Sequence, residues 1–361
     1  MSAAAPAPLV LVNATANVSG AEGVLLDLLE LAVQRGHPVT LACPPGPLAA
    51  RRPAGVTHLP LPALGLGGGR ALGAARLAAR WAQAARVLRP AVRRPGARTV
   101  VNSLLALPAV RLAAPTGGAS WLVHDTVHQA QQRLVVRAGR AGLRRVVAVS
   151  TATATPLRAL GLPVQVVGNG VSWPVDAVPT TTLHHPPVVG CLALLTPWKG
   201  HAVLLEAVAQ LPEVHLELAG GAFPGDAVHA EGLRRRAAQP DLAGRVRFLG
   251  HVAALDAMRG WDVCVSASTS PEACPLSVLE ALSLGVPVVG TDHGGTSELL
   301  REGAGLLVPP GDVAALAAAL TRVLDDAGLR AETARCGRAR VAAEHDRSHT
   351  LPRMLDELLP S

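Results

Sequence analysis

Two glutamates eight positions apart, Glu272 and Glu280, frame the stretch TSPEACPLSVLEALSLGVPVVG from Thr269 to Gly290. The apolar run Val263 to Ser266 before it is expected to be a strand, which puts Glu272 in a loop at a strand's end. Cys274-Pro275-Leu276 then predicts a helix opening at about Pro275, because proline suits a first turn whose amides lack internal partners. Glu280 falls one or two turns inside that helix. Free first-turn amides and the helix dipole together favour an anion such as a phosphate. A carboxylate beside such an end suits neutral hydroxyl groups better than the anion itself. Carboxylate, anion-binding turn and carboxylate, in that order, would suit a sugar, a diphosphate and a ribose. The plainer alternative is a solvated loop glutamate followed by a helix glutamate with a favourable dipole contact.

Lys199 is the single lysine among 33 basic residues. A compact ammonium differs from a guanidinium in reach and hydration, so the position that keeps it stands out. It lies in the loop LLTPWKG, before a helix expected over His201 to Gln210, where its charge could meet a diphosphate. His124 closes the apolar run SWLVHD and so belongs at the carboxyl edge of a sheet, where open α/β folds place their ligand crevice. His128 is a weaker candidate of the same kind. Ser19-Gly20-Ala21-Glu22 follows the first apolar run, Leu9 to Asn13, as a loop at another such edge. It is not the G-x-G-x-x-G fingerprint of dinucleotide binding. The loop Gly65 to Gly69 follows a proline-punctuated stretch and is not read as a phosphate loop.

These residues need strands to hold them at one edge. In the first half, apolar runs at Val56 to Leu61, Thr99 to Asn102, Ser120 to His124, Val146 to Ser150 and Val164 to Val167 alternate with helical segments. That alternation calls for a parallel sheet covered on both faces. Ser172 to Pro187 is rich in Pro and Thr without periodicity and is read as a hinge, with His184-His185 as linker polarity. A second series starts at Val188 and runs through Val214 to Ala219, Gly220-Gly221, Val246 to Leu249, Val263 to Ser266 and Val286 to Gly290, then Gly294-Gly295. Helices are expected at Asp312 to Leu324 and Leu329 to Ala343. The fold class is therefore α/β, two doubly wound Rossmann-like domains facing across a cleft: residues 1–171, a linker at 172–187 and residues 188–345.

With 361 residues, 49% of them hydrophobic, the chain can bury two cores. No apolar run is long enough for a transmembrane helix, and the basic-free start MSAAAPAPLVLVNAT argues against a signal peptide. Five scattered cysteines without a C-x-x-C pair are read as buried thiols of a reducing compartment. Charge is divided unevenly: residues 1–170 hold 18 Arg and four acidic residues, whereas the rest is net acidic although the whole chain is +7. The first half is therefore expected to meet something anionic. Arg70 to Arg98 carries eight arginines with Trp81 and aliphatics between, either a solvated face or a basic amphipathic helix on an anionic membrane. No feature points to nucleic acid.

The blocks PEACPLSVLEALSLGVPVV, GTDHGGTSELL, GAGLLVPPGD, TPWKGHAVLLEA and SGAE closely resemble glycosyltransferase family 4, retaining enzymes of the GT-B fold. The resemblance implies that a nucleotide sugar, UDP- or GDP-linked, binds mainly to the second domain, with no cofactor beyond that substrate. It gives Glu272 the sugar, Glu280 the ribose, Lys199 with the backbone at Cys274, Pro275 and Leu276 the diphosphate, and His124 the face of the sugar. Gly20 would admit the donor phosphate or the acceptor, and Gly220 and Gly295 would complete the donor wall. The acceptor would be a glycan, a lipid-linked glycan or a small molecule, in bacterial polysaccharide or glycolipid biosynthesis. The setting would be cytoplasmic, with peripheral contact at the inner membrane face as an option. A C-terminal helix, about 346–361, would pack back on the first domain. The family usually carries an Arg about five residues before the Lys, and here that position is Leu194. No D-x-D occurs, so no metal is implied. The departure at Leu194 keeps a catalytically reduced sugar-nucleotide-binding partner in view as an alternative, beside a GT-B sugar-nucleotide epimerase.

Overall fold

The computed structural model describes residues 6–65, 70–116, 118–174 and 182–359, so residues 66–69 of the glycine loop and 175–181 of the hinge lie outside the described residues. The chain divides into two compact units, one running to Asn169 and resuming at His349, the other from Gly170 to Ser348.

In the first unit the order is β1 (Leu9–Val12), α1 (Gly20–Gln34), β2 (Val39–Cys43), α2 (Pro47–Ala50), β3 (Val56–Pro60), α3 (Arg70–Val92), β4 (Arg98–Val101), α4 (Leu107–Ala113), β5 (Ala119–Val123), α5 (Ala130–Gly139), β6 (Leu143–Ala148), α6 (Thr151–Arg158) and β7 (Val164–Val166). The seven strands are parallel in the order β3-β2-β1-β4-β5-β6-β7. Strand order therefore reverses between β1 and β4, the place where such sheets open a crevice. Side chains alternate between faces. Val10, Val12, Trp121 and Val123 join the core beneath α3, α4 and α5. Ser120 faces the other way.

Helix α1 starts earlier than the periodicity suggests. Glu22 Oε2 reaches back to accept from the Ser19 amide at 3.1 Å and from its hydroxyl at 2.5 Å, so the expected loop 19–22 is already the helix's first turn and Gly20 is its first residue.

The second unit holds β8 (Val188–Leu192), α7 (His201–Ala209), β9 (His215–Ala219), α8 (Ala227–Ala237), β10 (Val246–Gly250), α9 (Ala254–Met258), β11 (Val263–Ser266), α10 (Leu276–Leu284), β12 (Val288–Thr291), α11 (Gly294–Leu300), β13 (Leu306–Val308), α12 (Val313–Asp325) and α13 (Ala327–Glu344). Its six parallel strands run β10-β9-β8-β11-β12-β13, reversing between β8 and β11. The last helix, α14 (Arg347–Leu358), belongs to the first unit from His349 onward. There the Ser120 hydroxyl donates to the Leu358 carbonyl at 2.5 Å, and Asp356 pairs with Arg35 at the end of α1.

The hinge ends on a specific clasp. Buried Asp262 accepts from the backbone and ring nitrogens of His184, both at 3.0 Å, and from Val188 N at 2.6 Å. His184 is thus more than linker polarity, since a carboxylate this buried needs donors and the hinge supplies them. Of the five free thiols four are buried as expected, but Cys336 on α13 is only half-buried. Among the described residues no helix is long and apolar enough to cross a membrane.

Candidate functional site

The loops after β8 and β11 leave adjacent strands at the reversal point of the second sheet. Lys199 comes from the first loop and Glu272 from the second. Two glycines let the loops close in. Gly200 has φ +73°, and a Cβ there would run into the Ala267 carbonyl; Gly220 at the end of β9 has φ +136°, and a Cβ would strike the Ala193 carbonyl. Thr269 N donates to the Trp198 carbonyl at 2.7 Å, tying one loop to the other.

So placed, Lys199 Nζ lies 2.5 Å from Glu272 Oε1. Glu272 is buried, and the Ser268 hydroxyl donates to the same oxygen at 2.5 Å. The ring of Trp198 lies 4.2 Å from Nζ and adds a cation–π contact. Glu272 therefore does not face neutral hydroxyls alone. A carboxylate withdrawn from water requires a counter-charge, and the chain's one lysine provides it. Behind the pair, Thr291 Oγ1 and His293 Nε2 each approach the Ser268 carbonyl at 2.8 Å. Gly295 N donates to the Glu272 carbonyl at 2.8 Å, and neither Gly294 nor Gly295 has room for a Cβ against that loop. Gly220 and Gly295 thus shape the backbone around the pair.

Beyond Glu272 the buried Cys274 and Pro275 lead into α10. Pro275 is its N-cap, in extended conformation, and no side chain caps the first-turn amides from Leu276 on. Such an end is open to an anion. Glu280 follows in the second turn. Burial pushes its carboxyl up to about 7, and among the described residues its side chain has no hydrogen-bond or ionic partner. Leu194 is half-buried in the loop before Lys199. His201, the first residue of α7, is 1% exposed with both ring nitrogens unpartnered, and burial, with His229 and Lys199 nearby, lowers its pKa to about 4. Ser268, His293 and His201 escape sequence reading. The block TDHGG marks His293, and the position after Lys199-Gly200 marks His201, but neither spacing tells which way a ring turns.

The reversal point of the first sheet collects a different set. Asn13 after β1 and Asn102 after β4 are buried, with Asn102 Nδ2 donating to Asn13 Oδ1 at 3.0 Å and the Ser103 hydroxyl donating there at 2.5 Å. Asn13 Nδ2 in turn donates to Glu22 Oε1 at 3.3 Å. His124 follows β5, one strand over. Its Nε2 is buried without a partner, and burial lowers its pKa to about 4, so the ring is neutral at physiological pH. His128 instead turns Nδ1 to the Thr126 carbonyl in an exposed turn. Gly20 and His124 thus lie in the first unit, and Lys199, Glu272, Cys274, Pro275, Leu276, Glu280, Gly220 and Gly295 in the second. Among the described residues, no group of three or more His, Cys, Asp or Glu is arranged to hold a metal ion.

Residues 18–172 match the family Glycosyltransferase Family 4, and residues 186–326 match Glycosyl transferases group 1. The chain is 32% identical over 184 residues to the lipopolysaccharide core biosynthesis glycosyltransferase LpsE of Rhizobium meliloti, covering 50% of this chain and 52% of that protein. It is 39% identical over 143 residues to the phosphatidyl-myo-inositol mannosyltransferase of Mycolicibacterium smegmatis, covering 37% and 35%. The matched stretch thus spans about half the length of these curated relatives, or less. Among solved structures, HepE of Anabaena, crystallised with UDP and glucose, superposes with a TM-score of 0.81 at 23% identity over 98% of this chain and 99% of that one. Two family matches in succession, each lying on one parallel-sheet unit, show that the chain belongs to the family 4, group 1 glycosyltransferases and has their GT-B fold.

Proposed function

We propose that this chain transfers a sugar from a nucleoside-diphosphate donor, UDP- or GDP-linked, to a hydroxyl of a glycan or lipid-linked acceptor, with retention and without a metal. The observation that carries the reading is the order of groups along one sheet edge: the Lys199–Glu272 pair, the open α10 end, then the unpartnered Glu280. The relatives named for lipopolysaccharide core synthesis and for phosphatidylinositol mannosylation support the acceptor class.

In this mechanism the diphosphate lies against the first-turn amides of α10, and Lys199 turns its charge from Glu272 toward the departing phosphate. Glu272, still held by Ser268, then accepts from sugar hydroxyls, and Glu280 accepts from the ribose. As the bond from the anomeric carbon to the phosphate oxygen breaks, the acceptor oxygen bonds to that carbon from the same side. The acceptor proton passes to the leaving phosphate. Lys199 and the amides stabilise charge that grows on the leaving group, which is where preorganised donors act most strongly. The neutral ring of His124 suits a hydrogen bond to a sugar hydroxyl, the role that family resemblance gives it. Leu194 leaves Lys199 without the second cation usual in the family.

The test is mass-spectrometric detection of nucleotide released from a panel of UDP-, GDP-, ADP- and dTDP-sugars, with glycan and lipid acceptor extracts, for wild type beside Glu272→Ala and Lys199→Ala. Release of one nucleotide, reduced in both variants, is expected. Donor binding with no release under any acceptor condition would replace the transferase reading with that of a binding partner.

A further inference from the structure

One peptide group stands between the two members of the ion pair. On one edge, the Ser268 carbonyl accepts from the Thr291 hydroxyl and from His293 Nε2, both at 2.8 Å. On the other edge, Thr269 N donates to the carbonyl of Trp198, the residue before Lys199, at 2.7 Å. A peptide is a planar unit, so a grip on its carbonyl also fixes its N–H. Ser268 carries the hydroxyl that meets Glu272 Oε1 at 2.5 Å. Whatever holds this peptide therefore sets the Glu272 carboxylate through Ser268 and the Lys199 loop through Trp198.

His293 holds it at the expense of stability. A carbonyl can only accept, so Nε2 is the donating nitrogen. The other nitrogen, Nδ1, is buried and bonds to no group among the described residues. An unpaired buried nitrogen destabilises a fold. The side chain has no capping duty either, for His293 precedes α11 without bonding any of its amides. Removing the ring would orphan nothing at the Ser268 carbonyl, because Thr291 still donates there. An apolar side chain of similar volume would thus fill the place more stably. The ring weakens the fold while it grips the peptide shared by both charges.

We propose that His293 is the positioning residue of the Lys199–Glu272 pair. While Lys199 and Ser268 both meet Oε1 the carboxylate is held twice, and no group among the described residues bonds Oε2. Once Lys199 turns to the departing phosphate, Ser268 alone remains on Oε1. The aim of Oε2 at the sugar then rests on the peptide that His293 clamps. The influence of His293 on rate rests on the proposed transfer; its influence on Lys199 holds without turnover.

Lysine labelled with a nitrogen isotope at Nζ gives one ammonium resonance by NMR, since Lys199 is the only lysine. In the full chain that signal should be protected from exchange with water in wild type and broadened in His293→Leu. It should return in His293→Gln, whose amide can donate to the same carbonyl. Melting temperature should stay level or rise in His293→Leu. Nucleotide release at saturating donor should fall about tenfold there, with donor KM within about twofold, and recover in His293→Gln. A Lys199 signal in His293→Leu identical to that of wild type would overturn the proposal. So would a melting temperature that drops in His293→Leu and returns in His293→Gln while release does not, the mark of a ring that merely fills space. If wild type releases no nucleotide, the transfer reading fails, and the Lys199 signal alone decides the role of His293.

Discussion

The two sheets reverse their strand order in the same way, yet the groups gathered at the two reversal points differ in kind. In the first unit, Asn102 and Ser103 both donate to Asn13, and the carboxylate of Glu22 is spent on Asn13 and on its own helix start. In the second, an ion pair, an uncapped helix end and a lone carboxylate follow one another with bonding capacity left over. Topology alone therefore supplies a place for a ligand. What chemistry can happen there depends on which polar groups keep bonding capacity and what charge they carry. The first edge is largely bonded within itself, with Asn102 Oδ1 and, one strand over, His124 Nε2 left without partners, whereas the charged groups and open helix end of the second can transfer their bonds to a substrate.

The sharpest way to break this contrast is at the ion pair. Lys199→Ala and Glu272→Ala are each expected to lower nucleotide release by about 10²- to 10³-fold. Lys199→Ala should also cost about 3 kcal/mol of stability, because it leaves Glu272 buried and unpaired. The double variant Lys199→Ala with Glu272→Gln should recover most of that stability and none of the activity, as thermal melts and the release assay would show. Full activity in either single variant would remove the pair from the mechanism.

Glu280 gives the next effect. Glu280→Gln should weaken donor binding about tenfold by calorimetry, as the ribose loses a charged acceptor. Wild-type donor affinity should decline as pH falls through about 7, where Glu280 takes up its proton, and the variant should lose that dependence. Stability runs the opposite way. The folded carboxyl titrates higher than the unfolded one, so its contribution is full at low pH, below the ordinary carboxyl range, and lost as pH rises through about 7. Melting temperatures from pH 4 to 9 should show this fall in wild type and not in Glu280→Gln.

Leu194→Arg tests whether a second cation is missed. It should raise release about tenfold, and no gain would mean that another arginine already serves. The smallest effect on chemistry should come from the other sheet. Asn13→Ala should cost about 1–3 kcal/mol by unpairing Asn102, Ser103 and Glu22, while donor affinity stays within about twofold, the scatter expected for independent sites. A large loss of donor binding would erase the distinction between the two sheet edges.

Much of the site was legible because its signals are local. Glu272 and Glu280 lie in one loop and helix, and Lys199 stands out as the only lysine. The signals that escaped were relational. Glu272 was read as facing hydroxyls with its counter-ion unseen, since nothing in its neighbourhood announces a lysine 73 positions away. Glu22 was taken for a loop residue because its capping role depends on Ser19 adopting extended backbone. His184 passed for linker polarity because Asp262, its partner, lies 78 positions on.

What the sequence determined by itself was the alternation that makes two parallel sheets, and the short-range motifs that put a carboxylate, a helix start and a second carboxylate in order. Periodicity and spacing within a few turns suffice for these. Which distant groups meet was decided only by the tertiary structure. Crossover connections bring β8 beside β11, and so Lys199 to Glu272. The same geometry gathers α3, α4 and α5 on one side of a sheet and puts α1 and α14 on the other. A parallel sheet makes neighbours of strands far apart in the chain, and burial then settles which of their polar groups must pair.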